Sequence, residues 1–226
     1  ACFLIHLPSM TTLLTDPYSP GGLGGAMTYH PVPVSPDIVA ITHEHADHSD
    51  TSWLQGGFLT LRSAHQDDRF ELRVHHVDHD EYNGRLRGGR TRVLDIRSEG
   101  FRVLHFGDIG ERLNDDQLRA IREAGDSEPM PVDVAIVPVG GYFTLGPDGA
   151  IDLLVRLQPR VGVPCHYRSL GLDLPVLNSV DAFVERAKRR ELRVEERSSL
   201  SLLQAGGESN APEIVVLEMK GMADLG

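Results

Sequence analysis

The chain has 226 residues, of which 40% are hydrophobic and 24% charged, with a net charge of −11. That length and apolar fraction suit one domain over residues 1–226 with a substantial core. The acidic balance disfavours nucleic acid as a partner, because phosphate backbones are repelled, and no run approaches the ~20 apolar residues needed to span a bilayer.

Taken in chain order, short β-rich runs fall at residues 2–5, 12–15, 37–42, 72–77, 92–96, 101–106, 132–139, 161–164 and 213–218. Residues 18–36 are rich in Gly and Pro and read as a loop; the glycines there lack the Gly-Lys-Ser/Thr ending of a phosphate-binding loop. A short helix is expected around 51–53. Asn114 and Gln117 have the spacing of a capping box for a helix over 115–124, with Gly125 as its stop. Asp148 is the expected cap of a helix over 149–157, and Asn178 or Ser179 that of a helix running to Arg190. Many strands with helices between them predict an α/β fold, sheets covered by helices. Two cysteines, Cys2 and Cys165, make no disulfide framework, so a reducing, cytoplasmic setting is expected. A cleaved leader remains compatible with a chain that starts at Ala1.

Polar chemistry repeatedly follows an apolar strand. Asp16 follows 12–15, His79 and Asp80 follow 72–77, Asp108 follows 101–106, Gly140-Gly141-Tyr142 follows 132–139, and His166 follows 161–164. The densest case is Thr42-His43-Glu44-His45-Ala46-Asp47-His48, after Ile38-Val39-Ala40-Ile41. Imidazoles and carboxylates so crowded are poor packing material, costly to bury unpaired and good ligands for a divalent metal. If the strands lie side by side, these exits share one edge and one site.

Together these segments resemble the metallo-β-lactamase superfamily, closest to its branch of small metal-dependent hydrolases near the ascorbate-phosphate lactonases. The resemblance covers nearly the whole chain. It rests on Thr15-Asp16-Pro17, the His-x-His-x-Asp-His run at 43–48, His79-Asp80-Glu81 leading to Gly84 and Arg87-Gly88, His105-Phe106-Gly107-Asp108, Pro138-Val139-Gly140-Gly141-Tyr142 and Pro164-Cys165-His166-Tyr167. It implies an αββα four-layer sandwich with two divalent ions among the loops at one edge. One ion would take His43, His45 and His79, the other Asp47, His48 and His166, with Asp108 bridging. It further implies a hydrolase whose nucleophile is a hydroxide shared by the two ions, acting on an ester, lactone or phosphodiester. Asp47 is then both ligand and catalytic carboxylate. Zinc suits the His-rich set first; manganese or iron suits its carboxylates.

Several assignments stay open at this level. His75, His76 and His79 crowd one strand exit; the downstream match favours His79, with His76 its rival. His105 falls on the face opposite Asp108 and reads as a packed histidine. Asp16 is expected to accept hydrogen bonds from the metal loop, or to be a plain Asp-Pro turn. Cys165 reads as a small buried hydrophobe beside a ligand. Tyr142 and Arg87 are candidate substrate contacts, for an oxyanion and an anionic group respectively. The partner expected is a small-molecule substrate. The alternatives are a nuclease-type phosphodiesterase, which the charge disfavours, and a non-catalytic metal-binding protein, which seven His/Asp ligands without Cys disfavour.

Overall fold

The computed structural model describes residues 1–31, 33–86, 89–202 and 211–219. Strands β1 (Phe3–His6), β2 (Thr12–Thr15), β3 (Ile38–Ala40) and β4 (Leu59–Leu61) form a sheet in that order. The second sheet contains β5 (His65–Gln66), β6 (Glu71–Asp78), β7 (Arg90–Ser98), β8 (Phe101–His105), β9 (Val134–Pro138), β10 (Val161–Cys165), β11 (Val194–Arg197) and β12 (Glu213–Leu217). Its order is β11-β12-β10-β9-β8-β7-β6-β5.

β9 explains the layering. All five of its residues are buried, and they alternate between two cores. Val134 and Ile136 join Leu13, Ile38 and Ala40 of the small sheet in the core between the sheets. Ala135 and Val137 join the core beneath the helices. A strand covered on both faces reads as an unbroken apolar run, as 132–139 does. The helices on that outer face are α2 (Asp115–Glu123), α3 (Pro147–Leu157) and α4 (Val180–Arg189), which contribute Leu118 and Ile121, Ile151 and Leu154, and Phe183 and Ala187. This is the expected αββα sandwich with one outer layer reduced. Between the strands of the small sheet the described residues hold only a 3-10 turn at Leu23–Gly25 and the one-turn α1 (Ala46–Ser49).

Local signals account for the helix starts, with corrections. The Asn114 capping box is present: its side chain accepts from Gln117 N, and the Gln117 side chain accepts from Asn114 N. Asp148 does not cap α3. Gly146 stands at the cap position and Pro147 opens the helix, its ring presetting the helical φ. Asp148 instead receives Arg186 Nε at 2.9 Å. Ser179 is at the N-cap position of α4 without a side-chain capping bond, its hydroxyl turned to Asp181 Oδ2 at 3.4 Å, and Asn178 turns its amide to the Gly140 carbonyl, 2.9 Å away. The helix expected at 51–53 is a turn; the helical turn lies earlier, inside the His run itself.

One buried ion-pair network ties the large sheet to α2. Arg102 is fully buried and gives Nε and Nη2 to Asp95 at 3.0 and 2.9 Å. Its remaining hydrogens go to the carbonyls of Ile121, Arg122 and Met130. The carbonyls of Ile121 and Arg122 lie in the last turn of α2, where a cation also meets the negative end of the helix dipole.

Strand direction places the site. β8, β9 and β10 are mutually parallel. β6 is antiparallel to β7, and β7 to β8, so β6 runs with β8. The carboxyl ends of β6, β8, β9 and β10 therefore share one edge, and the parallel pair β2–β3 supplies the segments from the facing sheet.

Candidate metal centre

At that edge the seven side chains singled out from the sequence come together. His43, His45 and His79 form one group, His43, His48 and Asp108 a second, and Asp47, His48 and His166 a third; within each, one ligand atom per residue lies within 4.8 Å of the others. His79 is buried, whereas its rival His76 lies exposed on β6, opposite Arg92. His105 is outside the cluster. It is fully buried, with Nε2 donating to the Ala1 carbonyl and Nδ1 accepting from Gly107 N.

Three imidazoles are oriented by their Nδ1 atoms. His48 Nδ1 donates to Asp16 Oδ2 at 2.9 Å. His79 Nδ1 donates to the Phe143 carbonyl at 3.0 Å. His43 Nδ1 donates to Thr42 Oγ1 at 2.9 Å, since that hydroxyl spends its own hydrogen on Asp16 Oδ2 at 2.7 Å. Each ring thus presents Nε2 to the centre, the tautomer a metal ligand needs. Asp16 is the hub. It holds His48 directly, His43 through Thr42, and the turn into the His run through Thr42 N at 2.8 Å. Asp16 and His166 both adopt positive φ, 42° and 49°, a strained conformation of the kind that gathers at functional sites. Asp80 shapes the segment after His79 by accepting from the backbone N–H of Tyr82, Gly84 and Leu86.

The electrostatics suit a cation. Burial, reinforced by His48, pulls His43 down to about 3, so it is a neutral imidazole. Burial also opposes charge on His48, but Asp108 and Asp16 outweigh it and raise it to about 10. Asp108 is likewise buried, yet His166 and His48 hold it well below the usual carboxylate range. A divalent ion placed here takes over the positive charge that the His48 proton otherwise supplies. His79 Nε2 and Asp108 Oδ1 are buried and make no hydrogen bond of good geometry; their nearest charged neighbours are in the cluster itself, Asp108 Oδ2 at 3.4 Å and His48 Nε2 at 3.2 Å. Buried polar atoms are rarely left so, and a metal ion satisfies both. The residues present fit the group the sequence implied.

A family model described as the β-lactamase superfamily domain matches residues 1–166. The chain belongs to this superfamily. Among curated members, a UPF0173 metal-dependent hydrolase from Thermus thermophilus is 26% identical over 211 residues, covering 80% of this chain and 85% of its own. One from Methanoculleus marisnigri is 29% identical over 214 residues, covering 82% and 86%. Among solved structures, a protein from Thermotoga maritima assigned as a zinc-dependent hydrolase of the metallo-β-lactamase superfamily superposes with a TM-score of 0.71 at 25% identity, over 97% of this chain and 95% of that one.

For a β-lactamase superfamily member, the surroundings of the cluster carry what the motifs leave out. The cleft that reaches His45, Asp47, His48, His79, Asp108 and His166 is also lined by Tyr18, Met27, Tyr29, Phe143 and Leu172, and it holds no Lys or Arg among its described residues. Tyr142 is on its wall, largely exposed and with a φ of 57°. Arg87 lies outside the described residues. Thr42, Thr91 and the Phe143 carbonyl are partners of the candidate ligands that the sequence reading passed over. Thr42 was legible as the hydroxyl preceding His43; Thr91, 3.5 Å from His43 Nδ1, and a backbone carbonyl carry no local signal. Cys165 is buried beside His166 in the core between the sheets and belongs to none of the ligand groups, and burial pushes its thiol up to about 12.

Proposed function

We propose that this chain is a dinuclear metal-dependent hydrolase of uncharged carboxylic esters or lactones, with zinc the first-choice ion. The chain is a metallo-β-lactamase-fold hydrolase; the two ions, their identity and the substrate class are our reading. The observation that carries it is the overlap of three ligand groups, joined through His43 and His48, within one pocket of seven His and Asp side chains. That is more ligands than one four-coordinate structural site uses, and none is a thiolate.

His43, His45 and His79 would hold one divalent ion, Asp47, His48 and His166 the other, with Asp108 available to either, and the ions would supply a Lewis acid for a carbonyl oxygen and a water acidified toward neutral pH. The protein's own groups then have distinct tasks. Asp16, Thr42 and the Phe143 carbonyl fix the imidazole rings. Asp47 is the ligand carboxylate with solvent access: its side chain is 20% exposed, against 3% for Asp108, and Oδ2 lies 3.7 Å from His48 Nε2. It is the group placed to hold the nucleophile's proton. The aromatic and aliphatic wall excludes water and accepts an apolar substituent. The apolar side chains of that wall, Met27, Phe143 and Leu172 among them, favour an uncharged carboxylic ester or lactone over a phosphodiester, and the net charge of −11 weighs against a nucleic-acid substrate.

The test is a screen of metal-free and zinc-reconstituted protein against p-nitrophenyl esters, lactones and bis(p-nitrophenyl) phosphate. The expected result is two zinc equivalents per chain, activity only in the reconstituted protein, and ester or lactone turnover above phosphodiester turnover. Asp47→Ala should lose most activity, and His43→Ala should lose metal as well. Full activity in stringently metal-free protein overturns the reading.

A further inference from the structure

Two glycines outside the ligand set lie directly against the backbone of two ligands. A Cβ on Gly110 would sit 2.2 Å from the His79 carbonyl oxygen, and one on Gly140 would sit 2.1 Å from the His166 carbonyl oxygen. Cβ atoms essentially never approach another atom within 3.0 Å. Neither glycine has a positive φ, so backbone freedom does not explain the residue type; close approach does.

Each glycine is also clamped to the segment it touches. Gly110 N donates to the Asp78 carbonyl at 3.1 Å, and Asp78 N donates back to Glu111 Oε1 at 2.6 Å, immediately before His79. On the other side, Val139 N donates to the Cys165 carbonyl at 2.9 Å, immediately before His166. The Gly140 carbonyl accepts from Asn178 N at 2.8 Å and Asn178 Nδ2 at 2.9 Å. The ligand backbones are therefore pressed and tied at once. An alanine at either position forces the ligand backbone or its neighbour to retreat by about 0.8 Å or more. Metal–ligand distances tolerate only about 0.2 Å, so the displacement exceeds the tolerance several-fold.

We propose that Gly110 and Gly140 are positioning residues that set the two metal sites separately. Gly110 sets the backbone of His79 and so the ion of His43, His45 and His79. Gly140 sets the backbone of His166 and so the ion of Asp47, His48 and His166. This inference rests on the two-ion reading above.

Zinc titration of the metal-free wild type, Gly110→Ala and Gly140→Ala tests it, with cobalt(II) absorption reporting which ligand set stays filled. The wild type should take two equivalents. Each alanine variant should keep one and bind the other on the order of 10–100-fold more weakly, with complementary cobalt spectra, the all-imidazole set surviving in Gly140→Ala. Glu111→Gln and Asn178→Ala loosen the clamps without adding bulk. They should weaken the same ion as the neighbouring glycine, and they carry the test if an alanine variant does not fold. A merely structural role would lower thermal stability without selecting between ions. Two ions in the wild type, with folded variants that lose both equally or neither, overturn this inference alone. A wild type that takes only one ion overturns the two-ion reading, and this inference with it.

Discussion

Asp16 and His48 are joined by a 2.9 Å hydrogen bond between Oδ2 and Nδ1, with both side chains almost wholly hidden from solvent. Asp16 orients a candidate ligand without belonging to any of the ligand groups. Asn at position 16 keeps the size and tolerates the positive φ of 42°, but it removes the charge. We expect Asp16→Asn to fold and to bind metal on the order of 10–100-fold more weakly. Competition with a chromophoric chelator measures this; unchanged affinity would show that the contact is only structural.

The Asp95 network predicts an acid limb. Burial opposes its ionised form, but His75, Arg97 and Arg102 outweigh that and hold Asp95 well below the usual range. A carboxyl lowered by folding contributes stability that is full above its unfolded value of about 3.9. That contribution fades as pH falls from there toward the folded value. Arg102→Ala should cost about 3–5 kcal/mol at pH 7, because it leaves buried Asp95 with Arg97 as its remaining arginine and takes the donor from the carbonyls of Ile121, Arg122 and Met130. The gap to wild type in urea denaturation should shrink below about pH 4. A gap independent of pH would point to lost packing rather than lost pairing.

Cys165 should be chemically silent. With its thiol raised to about 12 from an ordinary value of about 8.5, the neutral form dominates at pH 8. The stability linked to that shift is present below the ordinary value and declines as pH rises toward 12. In a Cys2→Ser background, a disulfide reagent at pH 8 should label the denatured protein and not the native one. Rapid native labelling would contradict the burial.

Asn114→Ala removes one half of the α2 capping box. It should lower stability by about 1 kcal/mol and leave metal stoichiometry unchanged. Thermal denaturation and elemental analysis read the two effects separately.

Most of the ligand set was legible because it is local: an apolar run followed at once by His or Asp marks a strand end, as at 38–48 and 161–166. The two-sided burial of β9 showed in the same way. Three strands did not show. β4 and β5 have three and two residues, too few to display alternation, and β11 is Val-Glu-Glu-Arg, whose charges mask it. His79 was favoured over His76 in the sequence only by the segment downstream; in space His79 joins His43 and His45 while His76 faces solvent. The roles of Gly110 and Gly140 were invisible because each depends on a backbone met only after folding.

The ligand groups also fix an order of events in the life of the chain. An ion held by Asp47, His48 and His166 ties the segment after β3 to the segment after β10. No such tie can close until most of the polypeptide has been made and the large sheet has formed as far as β10. Capture of that ion is then a late step that reports on completed topology. In a chain-entropy account, a cross-link spanning about 100 residues is worth about 4–5 kcal/mol. Native protein made where metal is scarce should therefore be easier to unfold and to degrade, so abundance in the cell would follow the metal supply even before activity does.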